Sequence, residues 1–195
     1  ASKHLDIEEG IDQFRRLTSD LLVERNDIGL IVWPESAFNK IIRGKINLTG
    51  HVASSIRVPM IVGLLREELE FGSQTIESRY FNTVAAVAEG GDIVSLYDKV
   101  VLVAFGEYLP GEKILSPLYS ILPFSSSFTH GRSTAPLTLG AWRISANICY
   151  EDILSDHVRT LMAPNVAGLT PQTMVNVTND SWYGPEEPKI HLALA

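Results

Sequence analysis

The chain has 195 residues, of which 45% are hydrophobic and 20% are charged, and its formal net charge is −7 at pH 7. This composition is typical of a globular domain, and the length allows a sizeable buried core. The negative charge argues against a nucleic-acid partner because phosphate binding needs clustered Lys and Arg, and the single cysteine excludes an internal disulfide.

The chain begins "ASKHLDIEEG", which contains neither a Met nor the apolar core of a signal peptide. No run of the sequence reaches the roughly 20 apolar residues that a membrane span requires. We therefore expect a processed or excised piece of a longer protein, forming one partial domain over residues 1–195.

In the first third of the chain, apolar residues at helical spacing predict an amphipathic helix over residues 6–25. The apolar run at 30–33 predicts a strand buried on both faces, which Pro34 is expected to end. A second helix is predicted within 47–57 and a second buried strand over 60–65.

The middle of the chain predicts a hairpin followed by a long loop. Two alternating segments in residues 80–99 flank the turn "EGGD", whose glycines supply backbone conformations with positive φ. Residues 106–134 are rich in Gly, Pro and Ser, which predicts a loop with one short helix at most. Loops of this length inside a compact domain tend to be functional.

The last part predicts another hairpin over 135–149, turning at Gly140, then a helix from about 152 to 161 and a strand over 173–179. Helices and strands alternate along the chain, with hairpins between them. The predicted class is therefore α/β with a mixed sheet.

Three side chains that could take part in catalysis lie at the ends of predicted strands. Glu35, Lys99 and Cys149 each follow the last apolar residues of a predicted strand. Ligands of open α/β sheets bind beyond the carboxyl ends of the strands. We therefore expect the three side chains to meet in one crevice although they are remote in sequence.

Each of the three also has an ordinary structural interpretation. Cys149 is either a nucleophile, activated as a thiolate at a strand-to-helix junction, or a small buried hydrophobic residue. Lys99 is either an ammonium that stabilises a thiolate and an oxyanion or a solvated lysine at a strand end. Glu35 is either a general base with a pKa raised by burial or a cap of the next turn. Position alone leaves these alternatives open.

Four sequence blocks narrow the choice because they occur in a fixed order. The blocks "VWPES", "YDKVVLVAFGEYLPG", "ANICYED" and "NVTNDSWYG" resemble the nitrilase (carbon–nitrogen hydrolase) superfamily, whose Glu-Lys-Cys triad falls in this order. Within this superfamily, the sequence of these blocks is most similar to the apolipoprotein N-acyltransferase branch. The resemblance covers about residues 30–184. It implies a nitrilase-like αββα sandwich with mixed sheets, of which this chain would lack parts at both ends.

The resemblance also implies roles for individual residues. It makes Glu35 the general base, Lys99 the oxyanion stabiliser and Cys149 the nucleophile. Glu107, inside "AFGEYLP", matches a second glutamate that supports the lysine and the base.

Further residues are implied beside the nucleophile and in a loop near the pocket. Tyr150 and Glu151 match the residues that follow the nucleophile, and the Tyr150 backbone N–H is the expected oxyanion donor. Asn179 and Trp182 are expected to bind substrate, with a turn-forming Asn and a packed aromatic as the alternatives.

The reaction that the resemblance implies is an acyl transfer. A fatty acyl chain passes from a phospholipid to Cys149 as a thioester, and then to the N-terminal diacylglyceryl-cysteine of a bacterial lipoprotein. No metal and no organic cofactor are expected, because HExxH, P-loop and GxGxxG motifs are all missing from the sequence. The expected location is the periplasmic side of the bacterial inner membrane, with membrane association through parts of the parent protein outside this chain.

Two other functions stay open. A soluble nitrilase-type amidase would use the same three residues to hydrolyse a small carboxamide, since water competes with an amine for the thioester. A non-catalytic fragment would keep the residues but misplace them. We further hypothesise that the loop 106–134 forms a lipid-facing lid, because it contains apolar side chains that follow no strong helical or strand periodicity.

Overall fold

The computed structural model describes most of the chain as two β-sheets with helices on their outer sides. The first helix, α1, spans Ser2–Glu24 and confirms the helix predicted near the start. Within the described part of the chain, no helix combines the length and the apolar character needed to cross a membrane. The described residues are 2–44, 46–52, 56–72, 75–104, 106–108, 128–164, 168, 170–180 and 187–195, with the side chains of 2–8 and 187 excepted.

The first sheet contains four strands in the order β1-β2-β3-β4 among the described residues. Strand β1 pairs in parallel with β2, which pairs with β3 in antiparallel fashion, and β3 pairs likewise with β4. The turn between β3 and β4 places Gly90 and Gly91 at φ 88° and 90°, as the predicted hairpin requires. The strands are β1 (Ile31–Arg43), β2 (Met60–Phe71), β3 (Ile76–Val87) and β4 (Ile93–Asp98).

The second sheet is formed by β5 (Leu137–Leu139), β6 (Trp142–Ile148) and β7 (Thr173–Val177). Strands β5 and β6 form the predicted hairpin, which turns at Gly140 with φ 58°. Strand β7 pairs with β6 in parallel. The chain therefore contains both parallel and antiparallel pairs, which confirms the predicted mixed α/β class.

The helices and sheets are stacked in four layers. On one face of the first sheet, Ile11 of α1 belongs to the same buried cluster as Trp33, and the Trp33 indole donates to the Thr18 hydroxyl at 2.9 Å. The opposite face shares a second buried cluster with the second sheet, to which Ile61 and Ile148 belong. Helix α2 (Ser155–Met162) covers the far side of the second sheet. This is the αββα order that the resemblance implies.

Strand β1 is longer than predicted, because Pro34 does not end it. Among the described strands β1 pairs only with β2, so the missing N–H of Pro34 can point away from the ladder at no cost in hydrogen bonds. Glu35 consequently lies inside β1 rather than beyond its end, which corrects the expectation that all three candidate residues follow a strand.

The helix predicted within 47–57 is wrong for residues 47–52, which form turns and isolated bridges instead, and for residues 56–57, which are not helical. The side chain of Asn47 donates to the Gly90 carbonyl at 2.8 Å and to Asp92 at 2.7 Å. Thr49 also donates to Gly90, at 2.9 Å. These side chains bind the backbone of the β3–β4 turn, which competes with helix formation. Residues 53–55 lie outside the described part.

The helix predicted from about 152 to 161 is two shorter helices. A 3-10 helix spans Cys149–Ile153, and α2 follows after Leu154, whose φ −89° and ψ 89° are not helical. A final helix, α3 (Glu187–Leu194), was not predicted. Most of the predicted loop 106–134, including any short helix, falls on residues 109–127, which lie outside the described part.

A backbone irregularity in β1 directs Glu35 toward the interior. Trp33 pairs with Val62 and Phe38 pairs with Leu64, so four residues of β1 stand opposite Gly63 alone. Ser36 within this bulge has φ 53°, which is unusual for a residue other than glycine. The bulge approaches β2 so closely that only a glycine fits opposite it.

We predict that Gly63→Ala destabilises the protein and displaces Glu35. A Cβ at this position would lie 2.7 Å from the Glu35 Cα and 2.8 Å from the Pro34 carbonyl carbon, both of which are backbone atoms. We expect the free energy of unfolding to fall by about 1–3 kcal/mol, as overpacking does in other cores. Urea denaturation measures this loss.

Gly29→Ala is the matched control, since a Cβ there meets nothing within 4 Å. Its unfolding free energy should stay within about 0.5 kcal/mol of the unsubstituted protein. Equal stabilities for the two variants would contradict the role assigned to Gly63.

Candidate active site

Glu35 is held by two donors in the interior of the protein. Its side chain is 8% exposed; Oε1 accepts from the Asn82 amide at 2.7 Å and Oε2 from the Asn179 backbone N–H at 3.1 Å. Burial raises the pKa of Glu35, and the hydrogen bond from Asn82 and the charge of Lys99 oppose that rise only in part. The carboxyl is therefore a stronger base than an ordinary glutamate.

Lys99 directly follows β4 and is 1% exposed, so the alternative of a solvated lysine is wrong. Its Nζ lies 2.9 Å from Glu107 Oε1, and the other oxygen of Glu107 accepts from the Val103 backbone N–H at 2.9 Å. Burial alone would lower the pKa of Lys99, but the negative charges of Glu107, Glu35 and an ionised Cys149 outweigh it, and the pKa is raised. Lys99 is thus a buried ammonium at neutral pH.

Cys149 is the first residue after β6 and opens the 3-10 helix. Its φ of 55° lies in the left-handed region, and its side chain is 4% exposed. Burial, followed by the nearby charge of Glu35, raises the pKa of the thiol to about 12, although Lys99 and Thr178 act in the opposite direction. The sulfur is therefore protonated at neutral pH and needs a base to become a nucleophile.

The structure brings the three candidate residues into one electrostatic unit. Glu35 and Cys149 each contribute to the raised pKa of Lys99, and Glu35 and Lys99 act on Cys149 with opposite signs. Glu107 influences the pKa of all three, while its predicted supporting role stays a prediction. A proton acceptor, a cation and a thiol at one place are the groups that acyl transfer through a thioester needs.

Glu151 connects the segment after Lys99 to the turn at Cys149. This carboxylate is 1% exposed, and its Oε1 accepts from the backbone N–H groups of Val100 and Val101, each at 2.8 Å. Its Oε2 accepts from the Tyr97 hydroxyl at 2.9 Å and from the Ile148 backbone N–H at 3.0 Å. Because a buried carboxylate with four donors has little freedom to move, Glu151 fixes the two segments relative to each other.

The other predicted site residues differ in how they contact the site. The ring of Tyr150 stacks on that of His191 with centroids 4.5 Å apart, while the oxyanion role of its backbone N–H stays a prediction. Asn179 contacts Glu35 through its backbone N–H, a bond that does not depend on the Asn side chain. Trp182 lies outside the described residues.

Two residues of the site were not predicted. Asn82 in β3 is 3% exposed, and its side-chain amide donates to Glu35 and lies 3.4 Å from Glu107 Oε1. Its backbone carbonyl accepts from the Lys99 backbone N–H at 2.8 Å. Thr178 acts through its side chain to lower the pKa of the Cys149 thiol, against the rise that burial causes. A lone amide in the apolar run "YFNTVAAV" was the available signal for Asn82, since a buried amide needs partners. Thr178, after the end of β7, carries no comparable signal.

A cleft of about 660 Å³ reaches the bulge that carries Glu35. One wall comes from α1 and the other from the residues that follow β7, so Glu35 lies at the side of an open space rather than in sealed core. The lining residues include Phe14, Pro34, Glu35, Asn39, Thr178 and Asn179.

Comparison with known proteins agrees with this arrangement. Residues 2–195 match the family model described as carbon-nitrogen hydrolase. The chain is 34% identical over 160 residues to the apolipoprotein N-acyltransferase of Brucella suis, which covers 80% of this chain and 29% of that protein. It is 34% identical over 187 residues to the apolipoprotein N-acyltransferase of Pseudomonas aeruginosa, covering 92% of this chain and 34% of that protein.

The chain thus spans about a third of the length of these curated relatives. Among solved structures, a carbon-nitrogen hydrolase from Helicobacter pylori matches with a TM-score of 0.58 and 14% identity, over 96% of this chain and 62% of that one. At this identity the likeness concerns the fold, and it agrees with the four layers described above.

We predict that Lys99→Gln destabilises the protein because it leaves Glu107 buried without its counter-ion. Removing one partner of a fully buried ion pair costs about 3–5 kcal/mol. Because the Glu107 side chain keeps 15% of its exposure, we expect a loss of about 3 kcal/mol in unfolding free energy, measured by urea denaturation.

The double variant Lys99→Gln/Glu107→Gln should recover part of this loss, since no unpaired charge remains. Lys40→Gln, at an exposed position, serves as the control for the loss of a lysine charge. A single variant as stable as the unsubstituted protein would contradict the importance of this pair.

Proposed function

Because this chain belongs to the carbon–nitrogen hydrolase family, we propose that it carries the catalytic centre of an acyltransferase. The reaction transfers a fatty acyl chain from a phospholipid to the N-terminal diacylglyceryl-cysteine of a bacterial lipoprotein. The observation that carries this proposal is the buried cluster of Glu35, Lys99 and Cys149, in which the charge of one residue shifts the pKa of another. The 34% identity to apolipoprotein N-acyltransferases supports the choice of substrates.

In the first half-reaction Cys149 becomes acylated. Glu35 takes the thiol proton as the sulfur attacks the ester carbonyl of the phospholipid, because a thiol with a pKa of about 12 supplies almost no thiolate by itself. Lys99 and the Tyr150 backbone N–H stabilise the oxyanion, a contribution of about 3 kcal/mol for one well-placed donor elsewhere. The carbon–oxygen bond then breaks, Glu35 returns the proton to the departing oxygen, and a lysophospholipid leaves.

In the second half-reaction the acyl chain passes to an amine. The N-terminal amine of the lipoprotein attacks the thioester carbonyl while Glu35 takes one of its protons. The carbon–sulfur bond breaks, and the proton passes to the sulfur, which restores the thiol. The two substrates react in turn at the same sulfur, so the kinetics are ping-pong.

The proposal extends to where the reaction takes place. The substrates are lipids, so we place the protein at the bacterial inner membrane with this part on the periplasmic side. The contacts with the bilayer are assigned to parts of the protein outside this chain, which spans about a third of its relatives' length.

We predict that incubation with phospholipid adds one fatty acyl group to Cys149. Intact-mass analysis should show the increment, and Cys149→Ala should abolish it. Glu35→Gln should slow its formation by about 10²–10⁴-fold, the usual contribution of a general base. Glu89→Gln, in the exposed turn after β3, is the matched control and should acylate at the unsubstituted rate.

Other results would favour the competing functions. Release of ammonia from small carboxamides without a lipid adduct would indicate an amidase. A Cys149 that reacts with iodoacetamide no faster than a free peptide thiol, and takes up no acyl group, would indicate a non-catalytic protein.

A further inference from the structure

His191 in α3 is a buried titratable residue that the proposed reaction does not use. Its side chain is 3% exposed, with Nδ1 2.9 Å from Asp180 Oδ1 and Nε2 2.9 Å from Asp152 Oδ1. A neutral imidazole has one N–H, whereas both nitrogens here face carboxylate oxygens. Only the doubly protonated ring can donate to both aspartates, so His191 is an imidazolium in this arrangement.

The two aspartates belong to two different segments, one that contains Cys149 and one that binds Glu35. Asp152 lies in the 3-10 helix that Cys149 opens. Asp180 directly follows Asn179, whose backbone N–H donates to Glu35. One ring therefore connects the segment of the nucleophile to the segment that holds the base.

Two further contacts extend the same connection. The ring of Tyr150 stacks on His191 with 17° between the planes, and Tyr150 is the residue after the nucleophile. Asp180 Oδ1 also accepts from the Thr178 hydroxyl at 2.7 Å, and the Thr178 side chain acts to lower the pKa of Cys149. His191 thus contacts the residue that follows Cys149 and the residue that follows Asn179.

A metal site is a poor explanation for this cluster. The two ring nitrogens lie on opposite sides of the imidazole and face different aspartates, so the groups do not converge on one point. Among the described residues, no group of three or more His, Cys, Asp and Glu side chains could hold a metal ion.

We infer that protonated His191 is a positioning residue. It holds the 3-10 helix that begins at Cys149 and the segment 179–180, which binds Glu35, in the relative position that acylation needs. The inference rests on the proposed function only in taking Cys149 as the nucleophile and Glu35 as its base. Deprotonation of the ring removes one of the two hydrogen bonds and leaves two aspartates near each other without a cation. The two segments can then separate, and misplacement by about 1 Å can cost up to about a hundredfold in rate.

The electrostatics of this cluster set the direction of the pH dependence. Burial alone would lower the pKa of His191, but the carboxylates of Asp152 and Asp180 outweigh it and the pKa is raised. Among the described residues, three further side chains contact the cluster. Tyr150 stacks on the ring, Asn176 donates to Asp152 Oδ2 at 2.6 Å, and Thr178 donates to Asp180 Oδ1 at 2.7 Å. A raised pKa means that the stabilisation is complete below the unfolded value of about 6.5 and is lost as the pH rises through the folded value.

The test measures acylation of Cys149 by p-nitrophenyl acetate, whose burst of p-nitrophenol reports this step without a lipid donor. The whole protein is purified as it is produced in cells. The burst rate is then measured from pH 6 to 9.5. In the unsubstituted protein we expect the rate to fall at the alkaline end as His191 loses its proton. Lys99 does not interfere, because its pKa is raised above its ordinary value of 10.5.

His191→Phe keeps a ring that can stack on Tyr150 but removes both donors. We expect a burst rate at least tenfold lower at pH 7 and a profile without the alkaline fall. His51→Phe makes the same exchange at an exposed histidine and should leave rate and profile unchanged. Asp180→Asn removes one of the two carboxylates that retain the proton, so the fall should move to lower pH.

Each outcome decides the inference. An unsubstituted profile without an alkaline fall, or a His191→Phe variant with an unchanged rate or an unchanged fall, would overturn it. If His191→Phe does not fold, Asp180→Asn decides, and an unshifted fall would overturn the inference. A burst with p-nitrophenyl acetate but no acylation by phospholipid would refute the proposed lipid donor while leaving the role of His191 testable.

Discussion

The buried ammonium of Lys99 is the charge on which the rest of the site depends. A cation with 1% exposure is tolerated only when negative groups surround it, and Glu107 and Glu35 supply them. The same cation is the main influence that opposes the raised pKa of Cys149. Lys99 therefore allows two carboxylates and a potential thiolate to occupy one interior space.

Hydrogen bonds of buried residues on neighbouring elements fix the relative positions of the three candidate residues. The Asn82 side-chain amide donates to Glu35, and the Asn82 backbone carbonyl accepts from the Lys99 backbone N–H. Glu151 binds the residues after Lys99 and the residue before Cys149. Both side chains are themselves almost fully buried, so the three candidate residues are supported by polar contacts that solvent cannot replace.

The sequence was most informative where the local pattern and the tertiary structure agree. Continuous apolar runs and glycine-rich turns predicted the strands and both hairpins, because burial and positive φ are properties of a few consecutive residues. It failed where tertiary contacts decide: residues 46–52 bind the β3–β4 turn instead of forming a helix, and β1 continues through Pro34 because of an irregular pairing with β2. Asn82 binds Glu35, 47 residues away in the sequence, and His191 binds Asp152, 39 residues away. A local sequence pattern cannot predict contacts between residues so far apart in the chain.

The left-handed backbone of Cys149 limits which side chains this position can accept. Valine, isoleucine and threonine, which branch at Cβ, are strongly disfavoured at positive φ, whereas glycine and asparagine adopt it readily. A threonine nucleophile is therefore disfavoured here, even though a hydroxyl can serve in that role on other folds. Replacement by glycine or asparagine would keep the turn while removing the thiol, so a homologue could lose the sulfur and retain this architecture.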